Sequence, residues 1–386
     1  MDPVTPAARM ASVPFSGIRE IFEECDRLEA EGEDVVHLEI GRPDFDTPRS
    51  IKDATASALE NGEVHYTSNY GIAPLRETIA EKFESENDVA YDPDGEIVVT
   101  AGATESIFVS ILGLIDEGDE VLLPDPRWTY GAHVELAGGT PVSYALDPDD
   151  GFQPDLDSLA AGVSERTKLL VVNSPQNPTG SVLTRERAAE IRDFAVEHDL
   201  VVISDEIYEK ILYDDATHHS LAALDGMRER TITVNGVSKA YSMTGFRLGY
   251  LGAPPELIDP IVRTRQYTTT CAPSLSQWAA VEAIDRDPHG PLVEAFAERR
   301  ERVLDRLEAI PGMTCPEPTG AFYAFPTIPD GFDDEEDFVW SLLQEAGVAL
   351  VPGTVFGETG EGRVRIAYSN SLERIDEAFD RLEAWL

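Results

Sequence analysis

The apolar positions divide the chain into three stretches. In the middle one, short runs of Val, Ile and Leu recur: Ile97-Val98-Val99-Thr100, Val121-Leu122-Leu123, Leu169-Leu170-Val171-Val172, Val201-Val202-Ile203 and Ile232-Thr233-Val234, with Gly249-Tyr250-Leu251 after them. Helical segments separate the runs. Near-continuous apolar strands interleaved with helices predict a buried, mostly parallel sheet, because parallel strands are covered on both faces. Ahead of this stretch, Ile18, Ile21, Phe22, Cys25 and Leu28 fall on one face of a helix over residues 16–32, and a strand follows at 35–40. Thr47-Pro48 is placed to open the next helix as a cap and first-turn proline. After about Pro288 the pattern changes to a long charged helix at 291–309, an aromatic run at 321–325, a helix at 335–346, strands at 348–351 and 364–368, and a last helix from near Ser371. The expected fold class is therefore α/β. A large domain, 48–287, carries the mostly parallel sheet flanked by helices. A smaller α+β domain takes both chain ends, 15–47 plus 288–386, and residues 1–14 form a loose arm.

Charge changes the picture of the surface. The 386 residues hold 73 acidic and 30 basic side chains, a net charge of −43, while hydrophobic content is an ordinary 42%, which argues against disorder. Arginine outnumbers lysine 25 to 5. An acidic, strongly hydrated surface suits concentrated salt, where self-repulsion is screened within ~3 Å at about 1 M. This points to the cytoplasm of a salt-accumulating halophile. Circular dichroism is expected to show loss of structure on desalting, and a fold equally stable in dilute buffer would overturn that reading. Nucleic-acid and anionic-membrane binding are disfavoured, since both need basic patches. No run of 18 apolar residues predicts a membrane helix, and residues 1–14 lack the apolar core of a secretory signal. Cys25, Cys271 and Cys315 lie far apart without metal-type spacing, so neither a disulfide framework nor a metal site is expected.

Ligands of open parallel sheets collect at the carboxyl ends of the strands, so candidate chemistry is sought just past each apolar run. Gly102-Ala103-Thr104 opens a helix after the first run and could cradle a phosphate on free N–H groups, or be a plain strand-to-helix turn. Trp128 sits in a proline-rich turn, as core or as a flat stacking surface. Asn177 lies in the specific turn Asn173-Ser174-Pro175-Gln176-Asn177-Pro178-Thr179-Gly180. Asp205 and Tyr208 follow the next run, where a carboxylate is either a cap or a charge partner for a ring nitrogen. Lys239, in Val237-Ser238-Lys239, is the one lysine set between small residues and an apolar segment, with Arg247 eight residues on. Buried lysines form Schiff bases with carbonyl compounds. A helix-surface lysine has the same local appearance.

Order and spacing of these segments resemble the class I/II aminotransferases, the aspartate aminotransferase superfamily of pyridoxal 5'-phosphate (PLP) enzymes of fold type I, and most closely its prokaryotic aspartate/aromatic branch. The likeness runs from Gly41-Arg42-Pro43-Asp44-Phe45-Asp46-Thr47-Pro48 to Arg365-Ile366-Ala367-Tyr368. It implies an enzyme that moves the amino group of an L-amino acid (aspartate, aromatic or broad range) to a 2-oxo acid, 2-oxoglutarate by expectation, by a ping-pong mechanism. Lys239 would form the internal aldimine and shuttle the proton. Asp205 would pair with the pyridinium nitrogen, and Asn177 and Tyr208 with the ring's O3′. Trp128 would stack on the ring. Gly102, Ala103, Thr104, Ser238 and Arg247 would hold the phosphate. Tyr66 would reach the phosphate of the neighbouring subunit, which implies a homodimer with composite sites. Arg365 and the Gly41 N–H would grip the substrate carboxylate, Arg365 bidentately. No metal is implied. Cis peptides are expected at Asp125-Pro126 and Asn177-Pro178. Two positions depart from the pattern. Arg42 stands where many relatives have glutamate, and Thr104 where some aspartate-specific relatives have a lysine for the distal carboxylate, leaving Arg42, Arg263 or Arg265 to supply that charge. Ile18 and Tyr70 would suit an apolar side chain. A C–S lyase of the same fold is the alternative. A PLP-sensing regulator would need a DNA-binding segment ahead of the fold.

Overall fold

A computed structural model describes residues 5–386; positions 1–4 of the expected arm lie outside the described residues. The remainder of the arm is exposed except for half-buried Val13, with one 3-10 turn at Ala8–Ala11.

The chain opens with α1 (Gly17–Glu31), whose Ile18, Ile21, Cys25 and Leu28 are buried as their spacing requires, and which stops at Gly32 in the left-handed region. Strand β1 is only Val36–His37, shorter than expected, because from Leu38 the backbone turns to pair with Ala349 and Ala367 separately. Helices α2 (Arg49–Glu60) and α3 (Ala73–Asn87) follow. The cap reading at Thr47 does not hold. Pro48 is the residue before the helix, and the Thr47 hydroxyl instead donates to the Ser242 carbonyl at 2.6 Å, tying this loop to the turn after Lys239.

The centre is an eight-stranded sheet. Its strands are β2 (Ile97–Thr100), β3 (Glu120–Asp125), β4 (Thr140–Asp147), β5 (Gln153–Pro154), β6 (Thr167–Asn173), β7 (Val201–Asp205), β8 (Thr231–Gly236) and β9 (Gly249–Gly252), in the order β2-β9-β8-β7-β6-β3-β4-β5. Strands β8, β7, β6, β3 and β4 run parallel; β9 is antiparallel to both its neighbours, and β5 to β4. Every residue of β2, β3, β8 and β9 is buried, which is why these read as continuous apolar runs. The pattern of apolar positions missed β4 because that strand lies near the sheet edge, with its first four residues exposed or half-buried. The crossovers are α4 (Ala103–Leu114), α5 (Tyr130–Ala137), α6 (Leu156–Gly162) and α7 (Arg185–Glu197), with α8 (Pro255–Arg265) and α9 (Ser274–Arg286) completing the cover.

The chain then runs through α10 (Gly290–Glu308), β10 (Tyr323–Ala324), α11 (Glu335–Ala346), β11 (Val348–Ala349), β12 (Val351–Pro352), β13 (Val364–Ala367) and α12 (Leu372–Trp385). The single strand expected at 348–351 splits at Leu350, since β11 pairs with β1 and β12 with β13. One apolar cluster therefore holds both chain ends, joining Cys25, Leu28 and Val36 to Phe338, Leu342, Ile375 and Phe379. This packing brings β13, and with it Arg365, against the loop after β1.

Candidate active site

Sheet register places the site. Asn173 at the end of β6 lies opposite Asp205 at the end of β7, and Asp205 opposite Val234 of β8. Strands β6 and β7 thus finish level and β8 runs two residues further, to Gly236, and the segments leaving them project side chains into the same space: Asn177 after β6, Tyr208 after β7, Ser238 and Lys239 after β8. A cavity of about 430 Å³ opens there. Ala103, Thr104, Trp128 and Arg247 also line it from the large sheet's side, and Gly41 and Arg365 from the side of the chain ends. Gly102 sits just behind. Its φ is +88°, and a Cβ added there would stand 2.6 Å from Arg247 Nη2, so glycine is needed both for the turn and for the arginine's approach. On β9, Gly249 packs against the first N–H of α4, where a Cβ would come within 2.3 Å. Of the expected site residues only Tyr66 is elsewhere, 89% exposed beside Val64 and Cys271. The peptides before Pro126 and Pro178 are cis, as is that before Pro175.

Lys239 projects into the cavity, and its Nζ donates to the Gly41 carbonyl at 2.7 Å. Burial pushes its pKa down to about 8, helped by the cations Arg365 and Arg247 and opposed by Asp205. Asp205 is buried and pushed up to about 6 by the loss of water, although its carboxylate accepts from the Tyr130 hydroxyl at 2.7 Å and the Ile207 N–H at 3.3 Å. Arg365 is 1% exposed. Its guanidinium lies between the rings of Tyr323 and Phe356, 4.8 and 4.9 Å from their centroids, and donates to Asn177 Oδ1 at 3.1 Å and the Glu39 carbonyl at 2.5 Å. Its Nε has no partner among the described residues, and burial lowers its pKa. Tyr208 lines the cavity, and its hydroxyl lies 2.8 Å from that of Tyr323.

Among the lining residues that went unread in the sequence, those with polar chemistry include Glu39, Tyr130, His133 and Tyr323. Tyr130 and His133 are three apart on α5 and so share a face. His133 has a buried Nδ1 without a partner among the described residues, and burial pushes the ring down to about 4, so it stands neutral. Of the arginines named as sources of side-chain charge, Arg42 lines the cavity from an exposed position. Arg263 pairs with Asp259 on the surface, and Arg265 is buried against the carbonyls of Asn69 and Thr270. Ile18 lines the cavity and Tyr70 does not.

In a chain of net charge −43 this cavity gathers Lys239, Arg247 and Arg365. The N–H groups that open α4 add positive potential. The carboxylate at its sheet end, Asp205, has no cation in hydrogen-bond contact among the described residues. Such a donor set suits a ligand with an anionic group toward α4, a protonated ring nitrogen toward Asp205 and a carbonyl carbon for the amine, so the residues present fit PLP.

Comparison with known proteins agrees. The family model for aminotransferase class I and II matches residues 33–382. The aspartate aminotransferase of Pyrococcus abyssi is 44% identical over 97% of this chain and 96% of its own length. Aromatic-amino-acid aminotransferase 2 of Thermococcus litoralis is 41% identical over the same shares. The structure of the aspartate aminotransferase of Thermus thermophilus with maleate superposes with a TM-score of 0.94 at 37% identity, covering 100% of both chains. Strand order, cavity chemistry and these full-length likenesses lead to one conclusion: the chain belongs to the class I and II aminotransferases, PLP-dependent enzymes of fold type I that transfer amino groups.

Proposed function

We propose that the cavity moves the amino group of an L-amino acid to a 2-oxo acid, with Lys239 as the catalytic residue. The observation that carries this reading is the placement of Lys239 Nζ between Arg365 and Asp205 in one cavity, with its pKa pushed down to about 8. When bound, PLP supplies a carbonyl carbon for amines and an electron-accepting ring. The α4 start at Gly102, Ala103 and Thr104, with Ser238 and Arg247, would hold the phosphate. Asp205 would keep the ring nitrogen protonated, Trp128 would pack against the ring, and Asn177 and Tyr208 would donate to or accept from the ring's oxygen. Arg365, with the Gly41 N–H, fixes the substrate carboxylate and so sets which bond of Cα faces Lys239. The Lys239 amine then carries the Cα proton. Exposed Tyr66 completes the site of a second copy, which makes the working unit a homodimer. The small domain, 15–47 plus 288–386, closes one side of the site and the large domain, 48–287, the other. The acidic surface supports a salt-rich cytoplasm as the setting of this reading.

An amino-donor panel tests the reading. With 2-oxoglutarate as acceptor, aspartate, alanine and phenylalanine are compared by kcat/KM, with glutamate as product. Pyruvate and ammonia from cystathionine, without glutamate formation, would assign the C–S lyase instead. Ile18, Phe22 and Ile107 give the cavity an apolar wall, while Arg42 supplies a charge. Aspartate and phenylalanine are therefore both expected to react. Arg42→Gln is expected to lower kcat/KM for aspartate about fivefold, the worth of an exposed ion pair near 1 kcal/mol, and to leave phenylalanine unchanged. An equal loss for both donors would remove Arg42 from side-chain recognition.

The lowered pKa of Lys239 has a kinetic signature. Only the neutral amine attacks a carbonyl, and its fraction rises tenfold per pH unit until the pH reaches the pKa. Uptake of PLP by the cofactor-free protein is expected to accelerate with pH and level off near pH 8. A rate still climbing at pH 10 would mean an ordinary lysine.

A further inference from the structure

A second group of chemistry-bearing side chains lies beside the cavity, sharing Glu39 with its lining, where α1 packs on the strand β1. Cys25 comes from the buried face of α1, His37 ends β1, and Glu39 lies two residues on, its carboxylate 2.7 Å from His37 Nδ1. One ligand atom from each lies within 4.8 Å of the others. We propose that Cys25 Sγ, His37 Nδ1 and the Glu39 carboxylate bind a divalent ion of the zinc class.

Three observations carry the assignment. The donor set is sulfur, imidazole nitrogen and carboxylate oxygen, the combination that zinc-like ions of intermediate softness take. The Glu39 side chain is fully buried, and only one of its oxygens is engaged, with His37 Nδ1 at 2.7 Å; the other has no partner among the described residues. A buried carboxylate oxygen without a partner is costly, and a cation removes that cost. The third observation is the far side of the imidazole. His37 Nε2 faces the Glu29 carboxylate at 3.2 Å, and Glu29 stands one helical turn after Cys25. A carboxylate behind the non-ligating nitrogen is the arrangement that orients metal-bound histidines.

Three protein ligands leave a fourth position for water. Access is from the His37 side, a quarter exposed, since Cys25 is only 1% exposed. As the ion binds, the thiol proton and any proton shared by His37 and Glu39 pass to solvent, and no oxidant or reductant is needed. The sequence hid the site because its ligands come from two elements, without the paired spacing of a finger or ribbon. The site adjoins the cavity through the backbone: the Glu39 carbonyl accepts from Arg365, and the Gly41 carbonyl from Lys239.

The test loads the full-length holoenzyme with Zn²⁺, dialyses it and measures metal per chain, with melting followed in parallel. One zinc per chain and a zinc-dependent rise in Tm are expected. Cys25→Ser and His37→Gln should each weaken binding at least about 100-fold, and Glu29→Gln about 10- to 100-fold. Should Cys25→Ser not fold, His37→Gln at its quarter-exposed position decides, together with Co²⁺ as a probe: a thiolate-to-cobalt absorption band in the difference spectrum marks Cys25 as a ligand. No retained zinc, equal retention by folded His37→Gln, or bound cobalt without the thiolate band would each overturn the site, leaving a hydrogen-bonded His37–Glu39 pair.

Discussion

Lys239→Ala is expected to lower kcat for amino transfer by about 10⁴-fold or more. Proton transfer by a positioned side chain contributes ~10²–10⁴-fold, and loss of the attachment point for a carbonyl compound adds to that. The fold should survive. Among the described residues the side chain makes one hydrogen bond, to the Gly41 carbonyl, and burial already disfavours its charge. Alanine therefore removes a costly cation rather than a structural partner, and the cofactor-free variant should melt no lower than the parent. Glutamate production and thermal unfolding are the two measurements. Turnover within tenfold of the parent would remove Lys239 from the reaction, and collapse of the fold would show that its amine holds the Gly41 loop in place.

The part of this site that was legible in the sequence shares one geometric cause. In a parallel sheet whose strands end nearly level, the residue just past an apolar run faces the ligand, so finding the run finds the candidate. Asn177, Asp205 and Lys239 are of this kind, and the register of β6, β7 and β8 aligns them. Arg365 is not. It sits within β13, where an isolated arginine reads as surface, and it is buried only because the two chain ends pack together. Family likeness supplied it; periodicity did not. Glu39, Tyr130 and His133 were missed for a related reason. Each reaches its place through packing between elements, just past a strand of two residues or on a helix of eight. Thr47 shows local propensity losing to tertiary contact, since its hydroxyl bonds across the fold to Ser242 rather than capping α2.

Arg365→Met is expected to separate activity from stability. The guanidinium is fully buried, yet its acceptors are a side-chain amide oxygen and a backbone carbonyl rather than a carboxylate, and its Nε has none among the described residues. Stacking between Tyr323 and Phe356 offsets only part of the lost hydration. A site left short of one anion in this way gains most when a substrate carboxylate arrives. Removing one partner of a buried charge pair costs ~3–5 kcal/mol, roughly 10²–10⁴-fold in kcat/KM at 1.4 kcal/mol per tenfold, and that loss should fall on aspartate and phenylalanine alike because both present the same α-carboxylate. Replacing buried ionic groups by apolar side chains of similar volume often stabilises by ~1–4 kcal/mol. The substrate-free variant is therefore expected to melt at or above the parent's Tm. A variant that kept kcat/KM would place the carboxylate elsewhere. One that lost activity and stability together would make Arg365 a structural tie between β13 and the Glu39 loop rather than a substrate clamp held ready at the expense of the fold.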